Sequence, residues 1–396
     1  MVNISVKFGP FGPTAPKGRR RRRNLNIVVE EFDQLAVREI LKIRQYFQDY
    51  KKLYRYYTPI ANGKHGVAVV IKYMDPSEPR EYFVIKRAYD ETGNGHEILE
   101  NEIDWLRRLR GAPHVVQMLN IDPNPFESLS RPTLFLEYVR FGTLAHFIDR
   151  ASARDRPIPN RVLWSFFTCL ARACIAMAWP DRGVEGEPEM NEEFPPDWET
   201  KPQMQLIHGD LHPDNILIGD LIPNADEHLI APILKIADWG LARRVPDLHN
   251  EGLGTSTNIF DISRIMRMLI SLNTTWSLEP QVVHIPSPAP GRPDSHITTA
   301  SPNLAKPNFP NLDDDLRDLV IQCTSEDRVE RPSLQVLCDN LALQLKAKTA
   351  EYYRPAPYGD REQDAAVQNY IQEMIFYPDY QWEDGGEGTD DDGDID

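Results

Sequence analysis

Polar and hydrophobic positions alternate through much of the first third of the chain and recur at helical spacing through most of the rest. Residues 81–88, EYFVIKRA, keep a period of two that places Tyr82, Val84 and Lys86 on one face of a predicted strand. Residues 54–74 hold two β-rich runs joined at a turn from Ala61 to Gly66, and residues 133–139, TLFLEYV, read as a strand entering a turn at 140–143. Two short apolar runs, 216–218 and 233–237, read as a hairpin. Helical patterns cover 97–109, 144–150 and 162–177, the last apolar on most sides, then 316–323, 334–347 and 362–376. Residues 28–53, with Val29, Phe32, Leu35, Ile40, Ile43 and Phe47, suggest one or two helices packed on the strands. Residues 180–202, acidic and Pro-rich, read as a loop insertion. Residues 274–310, rich in Pro, Ser and Thr, read as a flexible insertion rather than a folded element.

One helix breaks its own pattern. Along 97–109 a step of about 100° per residue gathers Ile98, Leu109, Leu106, Leu99 and Ile103 into a stripe, and Glu102 falls inside it. Glu97 and Glu100 point elsewhere. A carboxylate on a buried face is costly unless paired, and Lys86, on the inward face of its strand, needs an anion. Glu102 is therefore its candidate partner.

Composition narrows the class. The 396 residues suffice for one bilobal domain plus tails, or for two ordinary domains. A formal net charge of −16 argues against a general nucleic-acid binder. Cys169, Cys174, Cys323 and Cys338 have no metal-ligand spacing and are too sparse for a disulfide framework, so buried reduced thiols are expected. The amino terminus lacks the apolar core of a secretory signal, and the run 164–179 is broken by Arg172 and too short to span a bilayer. These readings predict a soluble intracellular protein without a membrane partner, cytoplasmic or nuclear. The arginines at 19–23 are the one feature pointing to the nucleus. Residues 1–24 and the acidic 383–396 read as disordered tails.

The densest chemistry lies at 206–242, LIHGDLHPDNILIGD followed by ILKIADWGLA. His208, Asp210, Asn215 and Asp238 fit His-x-Asp-x4-Asn and then Asp-aromatic-Gly. Phosphoryl transfer asks for such a set: one carboxylate for the proton of an attacking hydroxyl, an amide and a second carboxylate for a magnesium ion on the phosphates. The predicted hairpin would bring Asn215 and Asp238 together at its base.

On these motifs the chain resembles the eukaryotic protein kinase family from about residue 54 to 343. The resemblance implies an α+β, bilobal, protein kinase-like fold. Its expected divisions are a lead-in at 25–53, a small lobe at 54–139, a large lobe at 140–347 and a helical extension at 348–382. It also implies ATP and Mg2+ as cofactors and a protein substrate, the oligomeric state remaining open. By resemblance Asp210 is the base or hydroxyl-orienting group, and Asn215 and Asp238 hold the metal. Lys86, paired with Glu102, meets the α- and β-phosphates. Gly63, Gly66 and Ala68 would line the phosphate loop, with Ala61 where a glycine is usual. Val84, Leu136 and Leu217 would bound the adenine pocket, and backbone groups of Glu137 and Val139 would meet the adenine edge. His208 would pack under Trp239, and Asp261 would brace the catalytic loop.

The departures matter as much. Gly209 replaces the usual arginine, so no cation awaits a phosphorylated activation loop, and activity independent of such phosphorylation is expected. His212 stands where a lysine usually reaches the γ-phosphate. Trp239 replaces the usual phenylalanine. The segment from Asp238 to Asp261 is short and lacks Ala-Pro-Glu, which leaves Arg331 of Asp327-x-x-x-Arg-Pro-Ser333 in need of another partner. Three functions stay open: a Ser/Thr protein kinase, a small-molecule kinase similar to aminoglycoside and choline phosphotransferases, and a nucleotide-binding pseudokinase.

Overall fold

Four antiparallel strands in sequential order make the small lobe: β1 (Tyr54–Asn62), β2 (Gly66–Tyr73), β3 (Tyr82–Ala88) and β4 (Thr133–Glu137). This computed structural model describes residues 34–62, 66–75, 78, 80–89, 93–121, 132–181, 183, 192–223, 225–246, 252–275, 279–285, 295–305 and 308–378. The expected tails and Gly63 lie outside the described residues.

Period-two patterning gives the sheet two apolar faces. Val67, Val69, Ile71, Phe83, Ile85 and Phe135 pack with Ala36, Ile40, Ile43 and Phe47 of helix α1 (Gln34–Asp49). A buried Arg87–Glu39 ion pair at 3.2 Å adds a polar tie between β3 and α1. Val70, Val84, Leu134 and Leu136 face the other way and join the core of the large lobe. Helix α2 (Asn94–Arg108) lies beside this face.

The large lobe is mainly helical, so the chain is α+β and bilobal. Helix α3 (Leu144–Ala153) begins at Thr143, whose hydroxyl accepts the His146 N–H and caps the first turn. Helix α4 (Asn160–Ala178) is longer than the run 164–179 suggested and passes as membrane-crossing by length and composition, yet 89% of that stretch is buried inside the lobe. It is the core helix around which the lobe packs. Short strands follow: β5 (Leu206–Ile207), β6 (Ile216–Ile218), β7 (Leu234–Ile236) and β8 (Arg243–Arg244), paired β5 with β8 and β6 with β7. Helix α5 (Leu253–Ser271) crosses α4.

The 274–310 region departs from expectation. Its described part folds as a hairpin, β9 (Gln281–Ile285) with β10 (Ser295–Thr299). The reason is local: QVVHI and SHITT are rich in β-branched residues, and alternate ones, Val283 and Ile297, turn inward and are buried. The Thr299 hydroxyl donates to the Ile321 carbonyl at 2.9 Å and fixes the hairpin to α6 (Asp314–Cys323). Helices α7 (Leu334–Ala347), α8 (Ala350–Tyr353) and α9 (Asp364–Ile371) complete the lobe, and a π turn at Gln372–Phe376 sets Phe376 against Phe141, with ring centroids 4.5 Å apart.

Candidate active site

Three separate elements deliver charge to one place. From β3, Lys86 Nζ lies 2.6 Å from Glu102 Oε2 on α2 and 2.7 Å from Asp238 Oδ1 just past β7. Glu102 is 1% exposed and also accepts the Trp239 N–H. Burial alone would lower the Lys86 pKa. The Asp238 and Glu102 carboxylates outweigh it and raise the value, so the ammonium keeps its charge. The same ammonium holds the Asp238 carboxyl below its ordinary range, against the pull of burial.

The β6–β7 hairpin sets the spacing of the other two oxygen-bearing groups. The Ala237 N–H donates to the Asn215 carbonyl at 2.8 Å, which seats Asn215 beside Asp238. Asn215 Nδ2 donates to the Asp210 carbonyl at 2.8 Å, directing its amide group back along the loop that joins them. Asp238 adopts φ 64° and ψ 67°, a left-handed conformation uncommon outside glycine and worth attention at a functional position.

His208 lies beneath this floor. Its ring meets Trp239 edge-on at 4.7 Å, and Nε2 bonds the Ala237 carbonyl at 3.1 Å. Burial brings its pKa down to about 4, so it is neutral. His212 has the opposite setting. Nε2 lies 3.6 Å from Asp210 and Nδ1 3.4 Å from Asp214, and these two carboxylates raise its pKa to about 9. The imidazole therefore carries charge at neutral pH, and its proximity holds the Asp210 carboxyl below the usual range.

The walls assemble by strand register. Ala68 pairs with Lys86, and Val84 lies between Val70 and Leu136. Val139 is buried and Leu217 half-buried in the adjoining core. The Glu137 carboxylate takes the Lys235 ammonium at 2.7 Å and the Gln117 N–H at 2.8 Å, so it struts the linker between the lobes. Gly66 has a packing reason for its identity: a Cβ there would meet the Arg87 carbonyl oxygen at 2.4 Å.

Several positions differ from expectation or escaped it. Asp261 pairs with Arg264 at 3.4 Å; the group that holds the loop from Leu206 is Asn258, one helical turn earlier. Its Nδ2 donates to the Leu206 carbonyl at 2.8 Å and its Oδ1 accepts the His208 N–H at 3.4 Å. Arg331 donates to the carbonyls of Ser325 at 2.8 Å and Ser256 at 3.0 Å and lies over the Phe260 ring at 4.5 Å. Gly209 adopts φ +82°, and a Cβ there would meet the Leu241 carbonyl at 2.5 Å, so this backbone leaves no room for an arginine. Asn101 and Trp105 of α2, absent from the sequence reading, bond the backbone just after Asp238. Trp105 falls just outside the apolar stripe of α2, and Asn101 gave no periodic signal.

No family model matches the sequence. A structure of the CAK complex from Chaetomium thermophilum bound to ATP-gamma-S contains a chain similar to this one, with a TM-score of 0.49 and 16% sequence identity over 75% of this chain and 93% of that chain.

Proposed function

We propose that this chain is an ATP-dependent phosphotransferase that moves the γ-phosphoryl group of Mg-ATP to a Ser or Thr hydroxyl of a protein. One observation carries the reading: the Lys86 ammonium bonds both Glu102 and Asp238, at 2.6 and 2.7 Å, across three elements distant in sequence. A structural role alone does not account for leaving Asp238, with its side chain 47% exposed, beside that lysine.

The residues fit the group they would hold. Asn215 Oδ1 and the Asp238 carboxylate are hard oxygen donors on adjacent backbone, suited to magnesium, which supplies charge neutralisation to the phosphates when bound. Lys86 would bind phosphate oxygens, with Glu102 fixing its direction. Asp210, ionised and half-exposed, would orient the attacking hydroxyl and receive its proton. His212, cationic beside it, would stand in for the absent lysine and balance charge on the transferred group.

A second reading keeps the chemistry and changes the acceptor. The backbone beyond Asp238 is pinned by β5–β8 pairing and by the Val245 N–H to Gln205 carbonyl bond at 2.7 Å, and α5 starts at Leu253. Little chain remains for a peptide platform, which favours a small-molecule hydroxyl. Incubation with labelled ATP, magnesium and either a peptide library or a metabolite extract separates the acceptors. Nucleotide binding without transfer to either would favour the pseudokinase reading.

A further inference from the structure

Away from this site, four titratable side chains meet inside the large lobe. His114 precedes the Val115 bridge to β7, Cys169 lies on α4, His228 ends the turn at Asp226–His228, and Glu192 lies in the acidic insertion. All four are buried. His114 Nε2 faces His228 Nε2 at 3.2 Å, and Cys169 Sγ lies 4.0 Å from His228 Nδ1. One ligating atom from each of His114, Cys169 and His228 falls within 4.8 Å of the others.

We infer that His114, Cys169 and His228 form a structural zinc site. A thiolate with two imidazoles is the ligand mixture that zinc takes. Two Zn–N bonds spanning the 3.2 Å between the Nε2 atoms meet at about 100°, near the tetrahedral angle. Glu192 supplies what metal-bound histidines ordinarily have behind them. Its carboxylate accepts the His114 backbone N–H at 2.9 Å and faces Nδ1 at 2.8 Å, so in the neutral ring the proton sits on Nδ1 and the Nε2 lone pair points into the cluster. Glu227 lies beside the cluster, with Oε1 3.7 Å from His228 Nε2 and its other oxygen bonded to Arg172 at 3.1 Å.

The ion would tie α4 to the two segments that flank β7. The Ile236 N–H donates to the His114 carbonyl at 2.8 Å, and Asp238 follows two residues later. Zinc there sets the footing of the hairpin that carries Asp238.

The test uses the full chain without a polyhistidine tag, purified without chelator, with metal content measured by mass spectrometry. The expected result is near one zinc per chain, lost in Cys169→Ser and in His228→Ala. Glu192→Gln should weaken zinc affinity about 10- to 100-fold. Cobalt exchanged into the wild type should give the visible bands of a tetrahedral site and a thiolate charge-transfer band that Cys169→Ser lacks. A folded wild type without stoichiometric metal and without tetrahedral cobalt bands would overturn the inference and leave a hydrogen-bonded relay of the same residues. Full zinc content in both variants would also overturn it.

Discussion

Asn101 donates from a single amide nitrogen to the carbonyl of Gly240 at 2.9 Å, and the same nitrogen reaches the Ala242 carbonyl at 2.9 Å. The Trp105 indole adds a third bond, to Ala242, at 3.1 Å. Helix α2, which carries Glu102, is thus fastened to the backbone just past Asp238 by its own side chains.

Such fastening predicts that the site is assembled without a phosphorylated loop. Phosphatase-treated protein should keep its turnover. Asn101→Ala removes two neutral hydrogen bonds of about 1 kcal/mol each, enough to lower turnover about 30-fold when both serve assembly. Turnover lost on phosphatase treatment would contradict this.

His212 predicts an alkaline limb. Its folded pKa of about 9 lies above the ordinary 6.5, so the folded state binds this proton more tightly. The associated stability is complete below about 6.5 and disappears as pH rises through about 9. The side chain is 40% exposed, so solvent keeps that stability small, and activity is the better readout. Turnover should decline as the imidazolium is lost near pH 9. His212→Lys should carry activity past that point, and His212→Gln should be uniformly slower with a flatter alkaline profile.

Asn258 predicts an asymmetric pair of variants. Asn258→Ala leaves the Leu206 carbonyl and the His208 N–H without this partner in a buried setting, at a cost of about 2 kcal/mol by urea unfolding. Asn258→Asp should do no better, because a carboxylate would face the Leu206 carbonyl. Equal stability of Asp and Asn here would show that the loop is held another way.

Gly209 predicts strain from a single methyl group. With φ at +82° and the Leu241 carbonyl 2.5 Å from an added Cβ, Gly209→Ala should lose more than about 1 kcal/mol. Chemical denaturation of the pair measures it.

What the sequence made legible follows from periodicity. The inward face of β3 and the apolar stripe of α2 made Lys86 and Glu102 a candidate pair, and the motifs around them decided it. Asn258 was hidden because a polar residue in the first turns of a helix gives no sign of what it bonds. The β9–β10 hairpin was obscured by surrounding Pro and Ser, although its valines, isoleucines and threonines carried the strand signal. His114, Cys169 and His228 come from a loop, a core helix and a turn, so no spacing rule joins them; only the fold does.

The central claim is that a lysine from one lobe and oxygen-bearing groups from the other make a phosphoryl-transfer site. Its most direct measurement is the initial rate of label transfer from γ-labelled Mg-ATP to Ser/Thr peptides, wild type against Asp210→Asn. The account predicts transfer by the wild type that falls about 10²- to 10⁴-fold in the variant. Equal rates in the two proteins, or no transfer by a folded wild type that binds ATP, would contradict it.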